Sequence, residues 1–265
     1  MRIWDNKKST KRRKFLLVSV LLSVGLLVVQ RLPVESRYSA IVFFALSAYL
    51  LTAWSLFKDL HGVNWLVNLI LPTMYPVSVA LFYFLLPQAV VTRTIVVILF
   101  AVSMYALLLT ANIFAVASIR TIQLLRAARA VGFLLSILTS AFLFHVIFSL
   151  RVGAVLVGTL VLLVSLPILW QGTWSYVVSN TIKREFYYAL VGSIVIAQLA
   201  VAMSFWLISV PLASVVLAMG MYVTLGLFQH DLEGRLFNRT VQEYLGFAGI
   251  VFVVVVAAVI FRWAR

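Results

Sequence analysis

A chain of 265 residues that is 64% hydrophobic and only 11% charged lies far from soluble composition, in which about half the residues are apolar and about a quarter charged. That excludes an ordinary aqueous domain, and the net charge of +14 does not restore nucleic acid as a partner, because the basic residues sit between apolar runs rather than beside stacking aromatics. With no cysteine there is no disulfide, thiol catalysis or thiolate site, and histidines at 61, 145 and 230 have no ligand spacing, so neither a metal nor a cofactor is expected.

Residues 1–14 read as a basic cytoplasmic tail, with Arg2, Lys7, Lys8, Lys11, Arg12, Arg13 and Lys14 against Asp5. The apolar run Phe15–Val29 follows at once and lacks a convincing small-x-small cleavage pattern, which predicts an uncleaved signal-anchor helix with the amino terminus inside. Eight more apolar runs follow: Tyr38–Phe57, Val63–Pro87, Thr94–Ile119, Val131–Leu150, Val152–Thr173, Phe186–Leu207, Val210–Phe228 and Leu245–Phe261. On the resulting nine-span topology, fifteen of the 21 lysines and arginines fall inside and six outside, in accord with the excess of basic residues in cytoplasmic loops. The odd number of spans places the carboxy terminus outside. The predicted fold is an all-α polytopic helical membrane protein, with residues 15–265 forming a single transmembrane domain.

The third run, VNWLVNLILPTMYPVSVALFYFLLP, carries two prolines four apart. Each lacks an N–H, so Pro72 is expected to free the carbonyl of Asn68, and Pro76 that of Pro72. Freed carbonyls are costly in hydrocarbon, and Thr73 or Ser78 could satisfy them. In helical projection Asn64, Asn68, Pro72, Tyr75, Val79 and Tyr83 share one arc, with Leu66, Ile70, Val77, Leu81 and Phe84 opposite. The polar arc is expected to face protein, with the helix bending or opening between Asn68 and Pro76. Asn64, Asn68, Pro72 and Tyr75, with Asn112 on the fourth run, are the candidate ligand-binding residues. Their alternative role is interhelical hydrogen bonding.

Two inner linkers are predicted to be helical at headgroup level, Ser118–Val131 and His230–Leu245. Arg120, Arg126 and Arg129 in the first are candidate contacts to anionic lipid headgroups at the cytoplasmic face, or to another membrane or cytoplasmic protein. On the seventh run Ala189, Ser193, Ala197, Ala200 and Ser204 form a stripe of small residues for close helix packing. Trp54, Trp65, Trp170, Trp174, Trp206 and Trp263 lie near run ends, as interfacial aromatics do. His145 reads as a structural residue bonded to a neighbouring helix.

The stretches NIFAVASIRTIQLLRAARAVGFLL (Asn112–Leu135), LPTMYPVSVALFYFLLP and LGLFQHDLEGRLFNRTVQEYL are similar to those of uncharacterised multi-pass membrane proteins of candidate-phylum bacteria. The resemblance implies a bacterial cytoplasmic membrane and carries no catalytic residue. All seven acids fall in tails or loops of the predicted topology, which argues against proton-coupled transport and against carboxylate catalysis within the bilayer. The expected role is that of a non-enzymatic structural or partner-binding membrane component. The alternative is a transporter or channel for a neutral or weakly anionic small molecule, centred on the broken third helix.

Overall fold

The computed structural model of the chain describes residues 2–33, 36–57, 62, 64–87, 89–117, 124–177 and 183–263. Among them no strand occurs, and nine stretches are helical, long and apolar enough to cross a membrane. The helices are α1 (Arg2–Arg31), α2 (Arg37–Leu56), α3 (Asn64–Val67), α4 (Ile70–Tyr83), α5 (Val90–Ala117), α6 (Leu125–Ser149), α7 (Ala154–Val177), α8 (Lys183–Ser204), α9 (Val210–Leu232) and α10 (Asn238–Trp263). Together α3 and α4 make the third span. Two compact units divide the chain, Met1–Leu135 and Ser136–Arg265, with the boundary inside α6.

In the first unit α1 packs against α2, α4 and α5. Phe15, Val18, Leu22, Leu26 and Val29 recur at steps of three and four and are buried, whereas Leu16, Leu17, Val20, Leu21 and Val24 are exposed. The first run is therefore a packed helix with one protein-facing stripe and one apolar outer side. The Ser19 hydroxyl ties it to α5, donating to the Ala101 carbonyl at 2.6 Å. A Cβ at Gly25 would lie 3.1 Å from the Phe44 ring, so glycine lets α2 approach.

In the second unit α7 and α8 are the most closely packed pair. The small-residue stripe of α8 makes this possible: Ala189, Ser193, Ala197 and Ala200 are buried, and Ser204 at its end is half-buried. Gly158 lies opposite, where a Cβ would come within 2.5 Å of a Val201 methyl. Helix α9 packs on both partners, and α10 packs chiefly on α9. Trp174 stands in the last turn of α7, near the end of its run as expected, and is fully buried against protein.

The His230–Leu245 segment is not one amphipathic helix. Residues 230–232 close α9, and Gly234 follows with φ 68° in the left-handed region that glycine alone adopts freely. The N–H of Arg235 bonds the His230 carbonyl at 2.9 Å and that of Gly234 the Asp231 carbonyl at 2.9 Å, a paired C-cap that stops the helix before α10 begins. Of the Ser118–Val131 linker, residues 118–123 lie outside the described set, Leu124 is in a turn, and α6 starts at Leu125.

The placing of all seven acids in tails or loops also needs correction. Glu185 is 2% exposed in the first turn of α8, Asp231 lies in the last turn of α9, and Asp5 and Glu243 lie within α1 and α10. Helix α8 begins three residues before Phe186, where the apolar run starts, so hydropathy missed the buried turn.

Candidate functional site

The third span is interrupted at Asn68–Leu69, between α3 and α4. Pro72 therefore occupies the first turn of a new helix, where a missing N–H leaves no intrahelical bond unmade and the fixed φ favours helix initiation. Pro76 lies inside α4, and its missing bond would have run to the Pro72 carbonyl in that first turn. The hydroxyls of Thr73 and Ser78 do not serve the freed carbonyls. Thr73 donates to Leu69 at 2.8 Å and Ser78 to Tyr75 at 2.7 Å.

The arc lies as its spacing requires. Asn68, Pro72, Tyr75, Val79 and Tyr83 are all buried, while Leu66 on the opposite side is exposed and Ile70, Val77, Leu81 and Phe84 are half-buried. The Asn64 side chain lies outside the described residues. Asn68 is fully buried and its Nδ2 donates to the Ala111 carbonyl of α5 at 2.8 Å. Seven residues along, the Tyr75 hydroxyl meets Ser103 Oγ at 2.5 Å, and its ring stacks on Phe100 at 5.7 Å between centroids. Two polar bonds and a ring stack thus fix the third span to α5, one bond from the break and the other bond and the stack from α4.

Asn112 follows the residue that accepts from Asn68 and is half-buried. Its Oδ1 and that of Asn68 are buried with no hydrogen-bond partner. Asn68 in the break and Asn112 on α5 thus each carry an unused acceptor. Of the linker arginines, Arg126 is exposed on α6, Arg129 is half-buried, and Arg120 lies outside the described residues. If Pro72 only initiates α4, Pro72→Ala should change stability by less than about 1 kcal/mol, as measured by thermal unfolding in detergent. A larger loss would assign Pro72 a further role.

A second polar cluster, missed in the sequence, lies in the other unit where α7 ends, α8 begins and α9 ends. Gln171, Gly172, Thr173, Trp174 and Ser175 are all buried. The Thr173 hydroxyl is 2.9 Å from the Leu169 carbonyl and 3.3 Å from that of Glu185, bridging α7 and α8. Gln229 Nε2 donates to the Gly172 carbonyl at 3.1 Å, and Tyr188 donates to the Asp231 carboxylate, linking α9 to both. The Arg184 guanidinium stands 5.7 Å from the centre of the Tyr188 ring. The signal that could have found this cluster is the polar run Gln171–Ser175 closing an apolar stretch, matched by Gln229, His230 and Asp231 at the end of another. On α6, His145 Nδ1 lies 3.3 Å from Ser214 Oγ of α9, an interhelical contact. Among the described residues no three histidines or acids are grouped to hold a metal ion.

Buried polar groups that bond helix to helix, within spans whose outer sides are apolar, define an integral membrane protein of the polytopic all-α class. Within that class the chain belongs to the family described as "Protein of unknown function (DUF5656)", whose model matches residues 15–258. No curated protein and no solved structure matches the chain.

Proposed function

We propose that the protein is a non-enzymatic structural or partner-binding component of the membrane, in a bacterial cytoplasmic membrane. The observation that carries this reading is the use made of the third span. Its buried amide and phenol, the groups best suited to a ligand, bond Ala111 and Ser103 of α5. A polar arc used in this way holds helices together, as interhelical hydrogen bonds in membranes do at about 0.6 kcal/mol each on average. The exposed Arg126 at the start of α6 suits anionic headgroups or an acidic partner on the cytoplasmic side.

Transport of a neutral small molecule is the second reading. It is favoured by the buried, partnerless Oδ1 atoms of Asn68 and Asn112, which could accept from a passing donor. Liposome swelling separates the two. Vesicles containing the protein should swell in glycerol or urea gradients no faster than protein-free vesicles. Faster swelling that is lost in Asn112→Leu would replace the structural reading with transport.

A further inference from the structure

A cavity of about 840 Å³ opens in the second unit where α6, α8 and α10 end and α7 and α9 begin. That volume lies within the range of about 300–1,000 Å³ typical of small-molecule sites. By the charge asymmetry this is the outer end of these helices. Its lining is largely apolar, with Phe148, Met203, Trp206, Leu207, Ile208 and Val259 among the walls. Beneath it Met203 belongs to a buried cluster with Val216 and Val255, against which Phe148, Trp206 and Ile208 pack, so the floor belongs to the unit's own core. Ser204, Ser209 and Arg151 are the polar residues of the lining, and Arg151 is the charged one.

Arg151 stands in an unusual place. Its φ of 50° puts it in the left-handed region, and it is the one non-glycine residue with positive φ among those described. It occupies the turn after α6, with its N–H bonded to the Phe148 carbonyl at 3.3 Å, a position where glycine is the usual residue. A glycine does stand two residues on, at 153, yet the left-handed position is filled by an arginine. A strained backbone at a cavity lining is a mark of a site whose side chain is needed. Ser209 adds a hydroxyl, since it precedes α9 without making a side-chain capping bond. Ser204 already donates to Ala200 and retains acceptor capacity.

We propose that this cavity binds an anionic amphiphile, its carboxylate or phosphate held by Arg151 with Ser209 and its aliphatic body lying along Phe148, Trp206 and Leu207. A guanidinium fork suits the paired oxygens of either head, and the lining holds no carboxylate to repel them. A cation has no counter-charge there. A zwitterionic lipid gains less, because its own ammonium competes for the head. This inference stands apart from the role of the third span and does not depend on it.

Trp206 supplies the readout. The purified protein is titrated with brominated stearate, brominated phosphatidylglycerol or brominated phosphatidylcholine, and tryptophan quenching is followed. Saturable quenching by either anionic probe is expected, stearate marking a free acid as occupant and phosphatidylglycerol a bilayer lipid. Trp206→Phe should remove the saturable component. Arg151→Gly and Arg151→Gln should each weaken binding about tenfold, the loss of one charge-assisted contact. Arg151→Gly also relieves the backbone, so its melting temperature should be unchanged or higher, separating lost binding from lost fold. Three results overturn the proposal: no saturable quenching by either anionic probe, equal quenching by phosphatidylcholine, or a saturable component that survives Trp206→Phe or is unweakened in the Arg151 variants.

Discussion

Gly192→Leu should destabilise the protein by about 3 kcal/mol, the upper end of what overpacking commonly costs. Gly192 stands on α8 where α7 and α9 meet it. Even a single Cβ there would come within 2.7 Å of the Phe228 ring, 2.9 Å of a Thr224 methyl and 3.0 Å of a Leu169 methyl. Two neighbouring helices crowd the position, so relief on one side meets resistance on the other. Gly192→Ala adds only that Cβ and gains up to about 1 kcal/mol in helix propensity, which offsets part of the clash. Gly249→Leu on α10 is the control, since no neighbouring side chain or helix lies within 4 Å of its Cβ position, and it should be neutral or gain up to about 1 kcal/mol in helix propensity. Thermal unfolding of the three variants in one detergent checks the order. Equal stability of the two leucine variants would contradict the packing described.

Asn68→Asp should be nearly as damaging, though it changes one atom's chemistry and almost no volume. The amide nitrogen that donates to Ala111 at 2.8 Å becomes an oxygen facing a carbonyl oxygen. An ionised carboxylate costs about 2.5–3.5 kcal/mol at a helix centre on insertion scales, and although position 68 is only the fourth residue of the span Trp65–Tyr83, it is fully buried away from water. Asn68→Leu removes the bond without adding charge and should cost about 1 kcal/mol, within the range of interhelical bonds in membranes. Unfolding in graded sodium dodecyl sulfate measures both. An aspartate variant as stable as the leucine variant would mean that Asn68 is wetter than its surroundings indicate.

The spans were legible in the sequence because twenty apolar residues in a row have few other uses, and the arc of the third run because its period is that of a helix. The break itself was legible too, and it falls at the start of the stretch Asn68–Pro76 where it was expected, but the part Pro72 plays in it was not. Pro72 reads as a disruption within a helix, whereas it initiates one, and only the turn at Asn68–Leu69 tells the two apart. Glu185 was hidden for a related reason. Hydropathy marks where lipid-like residues begin, and the first turn of α8, with its Lys183, Arg184 and Glu185, precedes that point. Arg151 could not have been found, since a left-handed backbone at an arginine leaves no mark in composition or spacing. Linker helicity failed at Gly234, where the left-handed backbone of one glycine ends α9 before α10 begins.

The last helix lies along the rest of its unit with most of its surface outward. Among the described spans α10 is the most apolar and the least buried, meeting its neighbours through Val255, the Phe252–Trp206 contact and the fit of Tyr244 beside Gly226. A segment so apolar partitions into the bilayer on its own account, and its insertion does not wait for a partner. Its docking is then a separate, later event. During synthesis α6 to α9 can settle before α10 emerges, so faults in α10 should leave an inserted chain with its inner helices assembled, whereas faults at Gly192 should arrest assembly before α10 has anything to dock on.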